Sequence, residues 1–134
     1  MPFGRTAARV LFAAALFLGT ACSLVAPAEV PPVAEGDMFG HWAGTCGATI
    51  DFAAGGTYES GDFPVENEAG GKPPRITGKG EWTLMDRVEG VVPKVLLEGE
   101  KEFYSLTLVK HGDGFELHQW VGDPDDGNDC TYRR

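Results

Sequence analysis

Cysteine is the first scarcity in this chain. Three occur in 134 residues, Cys22, Cys46 and Cys130, and none stands in a Cys-x-x-Cys pair or close to a histidine. That spacing excludes the compact thiolate and imidazole sets that hold zinc, so neither a metal nor a cofactor is expected. Basic residues are also few: 11 Lys and Arg stand against 20 Asp and Glu, a formal net charge of −9. A chain so poor in cations lacks the clusters that phosphate backbones require, which excludes nucleic acid as a partner. Adhesion to anionic lipid through charge is excluded on the same ground. Helical periodicity is missing after Asp37, and no nucleophile motif joins a Ser or Cys to a histidine. One long apolar run occurs, VLFAAALFL from Val10 to Leu18, and it is about half the ~20 residues that a membrane span needs.

That run belongs to a three-part leader. Arg5 and Arg9 precede it, and the small residues Gly19, Thr20 and Ala21 lead from it directly to Cys22. A positive start, an apolar centre and small residues before the cut are the marks of export. Leu18-Gly19-Thr20-Ala21-Cys22 reads as a lipobox, in which the Cys22 thiol receives a diacylglycerol and becomes the first residue of the mature protein. It departs from the common pattern at Gly19, where an aliphatic residue is usual. The alternative is ordinary cleavage after Ala26-Pro27-Ala28, which would discard Cys22.

Counting cysteines favours the lipobox. An odd number in an exported chain leaves one thiol to explain. With lipid on Cys22, Cys46 and Cys130 remain as a pair in an oxidising compartment. Closing a loop of more than eighty residues would stabilise the fold by about 4–5 kcal/mol on the chain-entropy account. Two separate thiols are the alternative, which suits a cytosolic protein better. Loss of Arg5 and Arg9 with the leader takes the net charge to −11, a value that serves solubility.

Residues 1–21 are therefore expected to be the leader, 22–36 a tether and 37–134 one small domain. The stretch SLVAPAEVPPVAEG, with Pro27, Pro31 and Pro32, favours extended geometry and would lift the domain by roughly 40 Å. Beyond Asp37 short alternating runs end at Gly, Pro or Asp, as in a meander of strands. Cys46, Ala48, Ile50 and Phe52 share one face, with Thr45, Thr49 and Asp51 on the other. Thr57 to Phe63, Gly78 to Leu84, Val91 to Leu97, Tyr104 to Leu108, Phe115 to Val121 and Asp129 to Arg133 continue the series, and His111-Gly112-Asp113-Gly114 makes a hairpin turn. About seven antiparallel strands are predicted, an all-β meander closing into a lipocalin-like barrel with Cys46 and Cys130 where first and last strands meet. Residues 64–75 read as a loop at one rim.

The order of four motifs carries a likeness. Gly40-His41-Trp42, Gly56-Thr57-Tyr58, the Gly78–Leu84 run GKGEWTL and the Gly122–Gly127 run GDPDDG resemble, in sequence, the pattern of small secreted lipoproteins of actinobacteria. The resemblance spans nearly all of the mature domain and implies a lipocalin-like β-fold with surface anchoring; that family has no assigned activity. Gly40-His41-Trp42-Ala43-Gly44 before Cys46 is also similar to the start of small periplasmic β-barrel inhibitors of bacterial metalloproteases, whose disulfide closes a much shorter loop. This second resemblance implies inhibition as the alternative function.

Few residues offer chemistry. Asp123, Asp125, Asp126 and Asp129 are the densest oxygen cluster, but Gly127 stands where an EF-hand ligand belongs and no glutamate closes the loop; a turn with Pro124 at its first bend accounts for them. His41, His111 and His118 read as surface residues. Glu98, Glu100 and Glu102 read as one solvated strand face. Trp42 and Trp82 are expected to plug the core, whereas Trp120 falls off the inward row. Trp120, His118 and Tyr58 are therefore the candidate contacts for a small apolar ligand or an envelope protein, on a non-enzymatic binding module held to the outward face of the membrane by Cys22. Cys22→Ser is expected to release the domain from membranes and leave the Cys46–Cys130 pair intact. Fractionation with non-reducing mass measurement checks this; a variant that still pellets, or a wild-type chain beginning at Glu29, contradicts it.

Overall fold

The computed structural model describes residues 29–85 and 92–134. The leader, Cys22, the start of the tether and Val91 lie outside the described residues. Among those described, eight strands follow in chain order: β1 (Gly40–Gly44), β2 (Thr49–Phe52), β3 (Thr57–Pro64), β4 (Arg75–Met85), β5 (Lys94–Gly99), β6 (Phe103–His111), β7 (Gly114–Trp120) and β8 (Asp129–Arg133). Each pairs antiparallel with the next, and β8 pairs with β1, so the meander closes into a barrel. The fold class is as predicted, with one strand more.

The extra strand comes from the first hairpin. The expected strand through Cys46 is broken, because Gly44 N–H bonds to Ala48 O at 2.7 Å and Gly47 N–H to Gly44 O at 3.0 Å. Gly47 adopts a φ of 88° in this turn, a conformation that glycine reaches without steric cost. Cys46 thus sits between β1 and β2 and not within a strand. It is bonded to Cys130 of β8, with the Cα atoms 5.3 Å apart.

Alternation fills the interior. Trp42, Ile50, Phe52, Trp82, Val95, Leu97, Leu106, Leu108, Leu117 and Tyr132 are buried. One end of the barrel carries the β2–β3 and β6–β7 turns and is plugged by aromatic rings. Phe52 meets Trp82 edge-on at 5.3 Å, and Trp42 meets Phe115 at 5.6 Å. Met38 is buried there, and its carbonyl accepts from Trp42 Nε1–H at 2.8 Å. Val30 and Val33 also join the core. Both valines fall within the stretch 22–36 expected as a tether, where they cover apolar surface of the barrel; residues 22–28 lie outside the described residues.

The other end is built differently. β4 pairs with β3 as far as Pro64↔Arg75, but with β5 only from Gly80↔Gly99 downward. Above Gly80, β4 has β3 on one side and no β5 partner on the other. The register also shifts between Ser60 and Phe63, where Asp62 takes a φ of 46°, a β-bulge that re-aims the strand. Gly80 marks the departure point, since a Cβ there would stand 1.9 Å from Glu98 O. Backbone cannot move aside cheaply in a paired ladder. Gly80→Ala is expected to destabilise the fold by about 2–3 kcal/mol, whereas Gly55→Ala, in open space, should change it by less than about 0.5 kcal/mol. Urea unfolding of both variants measures the contrast.

Candidate functional site

The open end is a hollow. Where β4 leaves β5, a cavity of about 760 Å³ lies between β3, β4 and the β5–β6 turn, walled by Tyr58, Ser60, Phe63, Leu97 and Tyr104. Its size falls within the usual range for small-ligand sites, roughly 300–1,000 Å³. The strand register explains each wall. Tyr58 and Ser60 are inward residues of β3, the bulge turns Phe63 inward as well, and Leu97 and Tyr104 face each other across β5 and β6. A second hollow of about 490 Å³ adjoins it, bordered by Glu66, Glu68, Phe103 and Trp120. Val65, Glu102 and Tyr104 line both.

The three predicted contact residues divide between inside and outside. Tyr58 is buried and lines the first cavity. Trp120 lies on the outer face of β7, 54% exposed, as its place off the inward row implied. His118 is beside it, the rings edge-on at 6.4 Å. The structure therefore brings His118 and Trp120 together and leaves Tyr58 apart from them. Phe103 is 68% exposed and joins Trp120 on the rim. Its outward register with Ser105 and Thr107 was legible in the sequence, but its aromatic character at that position drew no expectation. Glu102 was also missed as a wall residue. The glutamate face expected over 98–102 does not form, because β5 ends at Gly99 and its N–H turns back to Glu102 O at 3.0 Å. Glu102 instead accepts a hydrogen bond from the Tyr104 hydroxyl.

Burial raises the Tyr104 pKa, and the hydrogen bond and negative charge of Glu102 raise it further. Burial likewise raises Tyr58 and Tyr132. Tyr132 donates to Gln119 Oε1 at 2.6 Å, and Gln119 Nε2 donates to Pro64 O at 2.8 Å. This buried chain ties β8 and β7 to the end of β3 beside the hollows.

The three histidines and Glu116 are engaged in ion pairs and hydrogen bonds on the outer face. Glu116 lies on the outer face of β7 with its side chain only 10% exposed. Arg133 Nε donates to it at 2.7 Å, His118 Nε2 lies 2.8 Å away and His111 Nδ1 3.4 Å away. His41 Nδ1 meets Asp51 Oδ1 at 2.8 Å across β1 and β2, both side chains exposed. In the Asp123–Asp129 turn, Pro124–Asp126 forms a 3-10 turn capped by Asp123, which accepts from Asp125 N–H at 3.0 Å, and Gly127 takes a φ of 68°. Among the described residues no group of three or more His, Cys, Asp or Glu is placed to hold a metal ion. The expected turn geometry, proline first and glycine at positive φ, is what is observed.

No family model matches the chain, and searches of curated proteins and of solved structures return no match.

Glu116 sets a pH dependence. Burial alone would raise its pKa, but the hydrogen bonds from Arg133 and His118 and the charges of Arg133 and His111 outweigh this and lower it. A carboxyl whose pKa is lower in the folded state stabilises the fold fully above its unfolded value and loses that stabilisation as pH falls through the folded value. Stability should therefore drop below about pH 4, and the stability difference between wild type and Glu116→Gln should shrink on acidification. Denaturant titrations between about pH 7 and pH 3 give the comparison; a difference that stays constant contradicts it.

Proposed function

We propose that this protein is a lipid-anchored, non-enzymatic binding module of the cell envelope that holds a small apolar ligand in the open end of its barrel. The observation that carries this reading is the contrast between the ends. One is filled by Met38, Trp42, Phe52 and Trp82, while the other keeps a cavity of about 760 Å³ walled by aromatic and aliphatic side chains. The chain enters the barrel through Met38, at the plugged end. An anchor on Cys22 would thus lie on the plugged side and leave the cavity facing away from the membrane. The exported leader, the lipobox and the acidic surface agree with that placement.

A second reading, a partner-binding module of the protease-inhibitor type, draws on exposed Phe103 and Trp120, since aromatic anchors dominate protein interfaces. A role of that kind requires no hollow.

A fluorescent apolar probe, N-phenyl-1-naphthylamine, separates the two on the full chain carrying Cys22→Ser. The wild-type barrel should enhance its emission, and Val65→Trp, which fills the wall shared by both hollows, should weaken binding by at least about tenfold with little change in thermal midpoint. No enhancement, or equal binding by the filled variant, rejects the apolar cavity. Loss of envelope-protease inhibition on Trp120→Ala would then favour the second reading.

A further inference from the structure

One polar group in the cavity has no internal partner. Tyr58 is 4% exposed, and its hydroxyl makes no hydrogen bond to any described residue. It is not sealed among packed atoms; it faces the hollow, 3.4 Å from where a Cβ on Gly99 would stand. With no acceptor inside the fold, its proton stays available to whatever fills the hollow. A donor on the wall of a largely apolar cavity is placed for a ligand's acceptor.

The surroundings define the head group that acceptor belongs to. Tyr58 lies close enough to Tyr104 to act on its ionisation, and Tyr104 donates to the Glu102 carboxylate. Ser60 reaches Gly78 O at 3.5 Å, the outer limit of a hydrogen bond. Lys79 and Lys101 also border the cavity, but Glu59 and Glu100 border it too. The charge left over is that of Glu102, beside the tyrosine pair. A ligand carboxylate would meet this like charge at close range, which disfavours the ionised form. An ammonium would suit Glu102 but offers no lone pair to the Tyr58 proton. A neutral hydroxyl satisfies both, accepting from Tyr58 and donating to Glu102.

We infer that the cavity takes an uncharged, hydroxyl-bearing aliphatic molecule, a long-chain alcohol in its simplest form, with its hydroxyl between Tyr58 and Glu102 and its hydrocarbon against Phe63 and Leu97. This rests on the apolar-cavity reading and adds the chemical class of the ligand.

Displacement of N-phenyl-1-naphthylamine by dodecanol, dodecanoate and dodecylamine, at a pH where the last two are charged, tests it on the full chain carrying Cys22→Ser. Dodecanol should displace the probe at a concentration about tenfold below either charged analogue. Tyr58→Phe, which keeps the ring, should weaken dodecanol by about fivefold to tenfold, measured against the probe affinity determined for that same variant. Glu102→Gln should narrow the gap between dodecanol and dodecanoate. Equal displacement by dodecanoate or dodecylamine, or a Tyr58→Phe variant that binds dodecanol as wild type does, overturns the assignment of the head group while the apolar cavity stands. Absence of any probe binding by wild type removes both.

Discussion

Everything in this barrel depends on closing the seam between β1 and β8. That seam has the shortest ladder, Ala43↔Arg133 and Gly44↔Tyr132, extended by Thr45 N–H to Thr131 O at 2.9 Å and Thr131 N–H to the Thr45 hydroxyl at 3.1 Å. Few hydrogen bonds thus join the two strands most distant in sequence, where loop closure is entropically most demanding. The Cys46–Cys130 bond, spanning 84 residues, lies at this seam and shortens the effective loop. Gly44 is part of the same device. A Cβ there would stand 2.6 Å from Cys130 Sγ and 2.9 Å from the Tyr132 ring, so the bare backbone lets the disulfide and ring pack against it.

With the seam closed, the lengths of the other ladders decide where the interior is filled. Where all strands run side by side, the inward rows meet and the aromatic plug forms. Where β4 outruns β5, no row faces the inner side of its upper half, and Tyr58, Ser60 and Tyr104 border space. Burial of tyrosine hydroxyls beside that space, rather than phenylalanine, keeps polar atoms among apolar walls. The bulge at Asp62 belongs to the same economy of form. Arg75 Nη1 donates to Asp62 O at 2.9 Å, which holds the bent strand against β4 at the rim.

The all-β class, the turns and most inward residues were legible because alternation with period two survives wherever strands carry large side chains. Ile50, Phe52, Leu106, Leu108, Leu117 and Tyr132 all show it. β1 was not legible because Gly40, Ala43 and Gly44 give Trp42 no alternating neighbours, so the first predicted strand began only at Thr45. Pairing of Cys46 with Cys130 followed from counting and is seen, whereas the place of Cys46 in a turn needed the hydrogen bonds around Gly47. Trp120 was readable from its position alone. Tyr58 was readable as an aromatic inside the barrel, but its lack of a partner was not, since that depends on what β5 does not cover. The cavity arises from unequal strand register, which no local pattern records. Val30 and Val33 were hidden by the prolines around them.

The barrel's first and last strands are entered and left on the same side. Arg134 Nη1 donates to Phe39 O at 3.3 Å, and its guanidinium lies 5.5 Å from the centre of the Trp42 ring. Phe39, just before β1, and Arg134, just after β8, are therefore adjacent beneath the plug. Anything fused to Arg134 would emerge at the plugged end, while the rim bearing Phe103 and Trp120 would stay unobstructed. A short linker from Arg134 to Phe39, with new termini cut in another turn, would leave the strand order of the barrel unchanged, so the barrel is suited to circular permutation.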